Sequence, residues 1–269
     1  MKPVLGAWAR RLLAGVAIWS ALSAFAKNDT STAGELIARV VAARQTTGYR
    51  VRARLVRTTA GTAQRDIRQL LIKGRRDGEA SRVLYQILWP VALAGQTLVI
   101  EKNAGQTTRV WLFTPPNETV DLTQKQAGVP FFGSDLSVED LAEEFWSWPT
   151  QEIVGEETVG QHRCRILESR PGAGTTTSYS HVKTWIAPDL SLPLRIEKFG
   201  QDGQLSKRIT AERITKQKND HWTAANFVVE PADGRTRTAL EGSHADRDLE
   251  IPVGDFTVER IKEALRAKP

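Results

Sequence analysis

The chain holds one cysteine, Cys164, so no disulfide can form within it. It holds only four histidines, His162, His181, His221 and His244, and they stand singly. No HExxH, GxSxG, CxxC or glycine-rich phosphate loop occurs. Neighbouring carboxylates such as Glu156 and Glu157 alternate across a strand-like segment and point to opposite faces. Nothing therefore argues for metal, nucleophilic or carboxylate-pair catalysis, and the expectation is a non-enzymatic protein without cofactor or metal. Cys164 itself lies in a strand-like segment, His162 to Glu168. It has no base near it in sequence, and a lone cysteine on a strand reads as a small buried apolar residue.

Long apolar runs are equally scarce. The longest is Leu12 to Leu22, interrupted by Ser20. It is too short for a membrane span, which needs about 20 residues. Lys2, Arg10 and Arg11 precede it, and Ala24-Phe25-Ala26 follows as a small-x-small site. Those three parts make a cleavable secretory signal peptide over residues 1–26. The mature chain is expected from Lys27, as one domain over 27–269, exported to the periplasm of a Gram-negative bacterium. No cysteine follows the cleavage site to carry a lipid, so contact with membranes should be transient. Loss of the three leader cations lowers the net charge from +6 to +3. That modest excess does not suit a nucleic-acid partner, which calls for basic residues gathered with aromatics on one surface.

What the chain does have is strand. Alternating or apolar segments fall near 48–57, 65–74, 81–89, 96–102, 107–114, 118–123, 151–157, 161–169, 178–187, 193–199, 204–212, 213–219, 221–230 and 235–241. Turn signals at Lys73-Gly74, Arg76-Asp77-Gly78, Asn103-Ala104-Gly105, Gly200 to Gly203, Lys218-Asn219-Asp220 and Asp233-Gly234 imply hairpins and an antiparallel sheet. In the first segment Tyr49, Val51, Ala53 and Leu55 alternate with Arg50, Arg52 and Arg54, so the apolar set should face inward. Those three arginines should face solvent; Arg57 follows them outside the alternation.

Three helices interrupt the strands. The first, Ala33 to about Thr46, opens with Thr32 and Glu35 as a capping box and carries Leu36, Ile37, Val40 and Val41 on one stripe. The second is expected from Ser137 to Trp146, with Ser137 as cap and Glu139 and Asp140 in its first turn. The third runs from about Thr257 to Ala267. One sheet with so little helical cover must close, split or curl around an inserted helix to bury its apolar face. The amphipathic first helix is the natural plug.

Several stretches resemble the LolA-like family of outer-membrane lipoprotein-sorting proteins. They are PVALAG at 90–95, RVWLFTPP at 109–116, FFGSDLSVEDL at 131–141, GEETVGQHRCRILESRP at 155–171, the block from Tyr179 to Ile209, RTRTALE at 235–241 and FTVERI at 256–261. The resemblance implies a mainly β, curved and unclosed antiparallel half-barrel with a helical plug or lid over an apolar cavity for acyl chains. It implies a carrier or chaperone for lipid or lipoprotein acyl chains, with an inner-membrane lipid-exporting pump as partner. The alternative is an envelope sensor or accessory subunit that uses the same pocket to regulate a protein. A lipid-sized cavity is expected between the sheet, the Leu36/Ile37/Val40/Val41 stripe, Tyr49, Val51 and Leu55, and Phe145, Trp146 and Trp148. The loop Gly133, Ser134, Asp135, Ser137, Glu139 and Asp140 has two readings: helix capping, or a partner-docking or lid-hinge segment.

Overall fold

The alternation read at residues 48–57 becomes strand β1, Gly48–Thr59, near the middle of a 13-stranded sheet. The computed structural model describes residues 31–267 apart from 44–46, 104, 124–127 and 217–221, so the leader lies outside the described residues. On one side of β1 a meander runs through β2 (Arg65–Asp77), β3 (Ala80–Trp89), β4 (Thr97–Lys102), β5 (Arg109–Thr114) and β6 (Glu118–Asp121). On the other side β7 (Thr150–Val159), β8 (His162–Arg170), β9 (Tyr179–Ala187), β10 (Leu192–Gly200), β11 (Leu205–Lys216), β12 (Trp222–Pro231) and β13 (Thr236–Arg247) return. The last strand pairs with the first, giving the order β6-β5-β4-β3-β2-β1-β13-β12-β11-β10-β9-β8-β7, with neighbours antiparallel. Strands β6 and β7 are the two edges, and the sheet does not close.

Two sequence expectations are corrected here. Residues 204–212 and 213–219 are not two strands: β11 is continuous, with its register against β12 slipping around Arg213. Such a bulge shifts the alternation and so looks like a break in sequence. Lys73-Gly74 is not a turn either. Gly74 sits inside β2 opposite Tyr49, and a Cβ there would stand 2.1 Å from the Tyr49 ring. Glycine is needed because an aromatic ring lies across the backbone.

The helices follow their caps. In α1, Ala33–Ala43, the Thr32 backbone N–H donates to Glu35 Oε2 at 2.7 Å and the Glu35 N–H to Thr32 Oγ1 at 3.3 Å, the reciprocal pair read from sequence. The second helix is shorter than expected. It forms α2, Val138–Ala142, and then breaks at Glu143, whose φ of 48° is left-handed, before a 3₁₀ turn at Glu144–Ser147. A left-handed residue ends the α-helical hydrogen-bond series and turns the chain. Helix α3, Val258–Arg266, is capped by Thr257.

The two faces of the sheet are covered differently. Helix α3 packs Ile261 against Leu84, Val99 and Phe113 on the outer face of β3–β5. The inner face carries the largest apolar cluster, which includes Leu55, Leu70, Ile87, Leu98 and Val110. Burying each such side chain contributes about 1.5–3 kcal/mol. Ala53 and Leu55 are buried as expected, and Arg50 and Arg54 lie outside, paired with Asp246 and Glu241 at 2.9 Å. Among the described residues no helix is long and apolar enough to cross a membrane.

Candidate functional site

The topology itself creates the site. Strand β6 ends at one edge of the sheet and β7 begins at the other, so the chain between Asp121 and Thr150 must traverse the whole sheet. It does so across the inner face. Phe131, Leu136 and Val138 enter the β1–β5 cluster, while Phe145 and Trp148 pack with Tyr179, Val182 and Ile196 further along. The ring of Phe131 meets Tyr85 edge-on, with centroids 5.1 Å apart.

A tight loop starts this crossing segment. The Phe131 N–H donates to the Leu136 carbonyl at 2.7 Å and the Val138 N–H to the Val129 carbonyl at 2.9 Å. Between them Phe132 and Gly133 both take positive φ, 47° and 70°. Ser134 Oγ accepts from the Leu136 N–H at 3.2 Å. Ser137 Oγ accepts from the Asp140 N–H at 3.2 Å, while Asp140 Oδ2 accepts from the Ser137 N–H at 2.7 Å, completing a capping box. The capping reading of this loop therefore holds.

The same acidic side chains also reach the sheet. Asp135 accepts from Thr236 Oγ1 at 2.8 Å and Thr238 Oγ1 at 2.7 Å, both on β13, and pairs with Arg57 Nε on β1 at 3.2 Å. Asp140, fully buried, pairs with Lys198 of β10 at 2.7 Å and Lys207 of β11 at 2.8 Å, and accepts from the Tyr179 hydroxyl at 2.7 Å. Lys207 also donates to the Asp135 carbonyl at 2.8 Å, which ties the two aspartates together. Glu139 accepts from Thr177 Oγ1 and from the Ser178 N–H. Three residues of one loop are thus stapled to five strands and to the loop before β9.

The electrostatics favour this closure. Burial alone would push the Asp140 carboxyl up, but the charges of Lys198 and Lys207 and their hydrogen bonds outweigh it and hold the group below its ordinary range. Burial, then the charge of Asp140, pushes the Tyr179 hydroxyl well up, so it stays a donor. Lys198 and Lys207 are direct cross-strand partners. Like charges facing each other on a sheet repel, and Asp140 between them removes that cost. The Lys198 ammonium is also flanked by the rings of Phe145 and Tyr179, 5.2 and 5.0 Å from their centroids.

The other sequence-predicted site residues do not form one wall. Leu36 and Val40 pack tightly on Leu167 and Ile186, with Ile37 and Trp146 beside them. Val41 is half-buried on the same helix. Tyr49, Val51 and Leu55 belong to the β1–β5 cluster, apart from the α1 stripe. These residues thus fall in two clusters, one under α1 and one on β1–β5. Beside Phe145 and Trp148 lies a space of about 250 Å³, lined mostly by polar residues including Thr107, Thr123, Glu139, Glu144 and Lys198. The apolar inner face is filled by the crossing segment's own side chains.

The sequence analysis does not single out Lys198, Lys207, Thr236 and Thr238, and gives Arg57 no inward role. Parity carried the signal. Arg57 is two residues from Leu55, hence inward, and Lys198 is two residues from buried Ile196. Among the described residues no group of three or more His, Cys, Asp or Glu could hold a metal ion. Cys164 is fully buried, and burial pushes its thiol up to about 11.

Comparison with known proteins was made on this fold. Residues 79–263 match a family model described as "-like: Uncharacterized protein". No curated protein matches. A DUF1329 family protein from Desulfovibrio piger is similar with a TM-score of 0.78 at 21% identity, covering 85% of this chain and 97% of that one. An outer-membrane lipoprotein-sorting protein domain from Vibrio parahaemolyticus, so described as putative, gives 0.78 at 17%, over 85% and 97%. A LolA superfamily protein from Nitrosomonas europaea gives 0.68 at 17%, over 86% and 99%.

Proposed function

We propose a carrier role from the likeness of this unclosed half-barrel sheet to solved lipoprotein-sorting proteins of the LolA superfamily. The protein is exported by its leader and shields the acyl chains of a lipid or lipoprotein in the periplasm, receiving them from an inner-membrane lipid-exporting pump. It catalyses no reaction, and its contact with membranes is transient. One observation carries the reading: the inner apolar face is covered by one crossing segment together with helix α1, not by a second sheet. Phe131, Leu136, Val138, Phe145 and Trp148 occupy the surface that acyl chains would cover. The form described is therefore closed and self-filled, and loading exchanges lid side chains for acyl chains.

The magnitudes allow that exchange. Shielding an acyl chain is worth about 0.8 kcal/mol per CH₂, so roughly 10 kcal/mol for one long chain. Breaking a buried ion pair costs about 3–5 kcal/mol. The gain for one long chain exceeds the cost of breaking one such pair.

The test is a titration of delipidated protein with a fluorescent fatty-acyl probe. Binding should saturate and change tryptophan emission. Replacing both Trp146 and Trp148 with Ala should weaken binding while far-UV circular dichroism stays unchanged. Folded, delipidated protein that binds no acylated probe saturably would overturn the carrier reading in favour of the sensor or accessory role.

A further inference from the structure

The inner wall of the sheet carries cations and donors that, among the described residues, the lid neutralises. Arg57, Lys198 and Lys207 come from β1, β10 and β11, and the hydroxyls of Tyr179, Thr236 and Thr238 from β9 and β13. The carboxylates that meet these groups belong to Asp135 and Asp140, both on the crossing segment. Lys198 is 2% exposed and Thr238 fully buried, while the Arg57 side chain is 36% exposed, so water screens the lysine end of the set least. When the lid lifts to admit a ligand, both carboxylates leave with it. Two lysines then face each other across adjacent strands, beside the apolar Ile196, with no anion between them. That state is costly unless an anion replaces the carboxylates.

We propose that this wall is a binding site for a phosphate ester group, and that Asp135 and Asp140 occupy it as internal stand-ins until a phosphate-bearing amphiphile displaces them. The inference rests on the carrier reading for the acyl chains and adds the headgroup. Two lysines and a guanidinium supply charge-assisted hydrogen bonds, and the three hydroxyls supply the rest of the donors a phosphate accepts. Asp140 is held by three donors from three strands, and Asp135 by three from two. The lid is thereby a lock whose key carries negative charge: a neutral amphiphile must open it against two uncompensated lysines, and an anionic one need not.

The experiment compares three probes on the full mature chain: a short-chain phosphatidic acid, the diacylglycerol with the same tails, and inorganic phosphate. Affinity is read by tryptophan emission, and lid opening by hydrogen exchange of the amides of residues 131–142. The phosphatidic acid should bind roughly tenfold to a hundredfold more tightly than the diacylglycerol, the worth of one or two charge-assisted hydrogen bonds, and should deprotect the lid. Lys198→Met with Lys207→Met should abolish that preference, because neither lipid then meets an ammonium group at the wall. Asp140→Asn should change affinity in the opposite direction, raising it for phosphatidic acid and letting inorganic phosphate restore lost thermal stability. If the Asp140→Asn protein does not fold, the apolar triple variant Asp140→Leu, Lys198→Met, Lys207→Met replaces it and should bind both lipids equally. Equal binding of both lipids by the unmodified protein would overturn the headgroup site while leaving the carrier reading in place. Tight binding of inorganic phosphate with neither lipid bound more tightly would sustain the anion site and overturn the carrier. No binding of any probe overturns both.

Discussion

Replacing Asp140 with Asn tests the lid most sharply. The substitution keeps the size of the side chain and removes its charge. In the closed form it leaves Lys198, 2% exposed, and its cross-strand partner Lys207 without a counterion. Removing one partner of a buried pair costs about 3–5 kcal/mol, because the remaining charge stays buried. Here two ammonium groups are orphaned, so the upper half of that range is expected. For a domain of this size each kcal/mol lowers Tm by about 2–4 °C, so the midpoint should fall by roughly 10–20 °C. The pH dependence should change with it. The Asp140 carboxyl is held below its ordinary value of 3.8, so its contribution is complete above that pH and fades as pH falls below it. The variant should lose this acid-side decline. Urea unfolding across pH measures both effects. A loss under about 1 kcal/mol, within the range of an ordinary surface change, would refute the claim that these charges hold the lid.

The remaining predictions are simpler. Leu55→Ala, at a fully buried inner position, should cost about 2–5 kcal/mol, while exposed Arg52→Asp should cost under about 0.5 kcal/mol; equal urea midpoints would reverse the face assignment of β1. Cys164, buried and with its thiol pushed up to about 11, should react with a thiol reagent at pH 8 only after unfolding, and prompt labelling of native protein would contradict its burial. Amino-terminal sequencing of protein from a periplasmic fraction should begin at Lys27, and intact Met1 in the membrane fraction would overturn cleavage.

Much of the fold was legible because it rests on local rules. The alternation from Tyr49 to Leu55 specified a face, and Thr32 with Glu35 specified where α1 begins, since both depend on residues a few positions apart. The helix expected from Ser137 to Trp146 failed because the left-handed turn at Glu143 comes from tertiary packing of Phe145 and Trp148, not from a glycine the sequence displays. The bulge around Arg213 similarly hid one strand as two. The site was half legible. The loop from Gly133 to Asp140 was singled out, but its partners lie some 60 to 100 residues away. Which carboxylate meets which lysine depends on β10, β11 and β13 lying side by side, and no local pattern states that. The parity of Lys198 and Arg57 was nonetheless visible, and an inward cation on an apolar strand face is a prompt to look for its anion.

The most direct measurement is native mass spectrometry of the mature protein purified from the periplasm without detergent. A bound population is predicted that is heavier by the mass of one acyl-bearing molecule, with a phosphate ester in its headgroup, and a larger bound fraction in the Asp140→Asn protein. A protein that emerges from the periplasm wholly free of lipid, and stays so after incubation with phosphatidic acid, would contradict it.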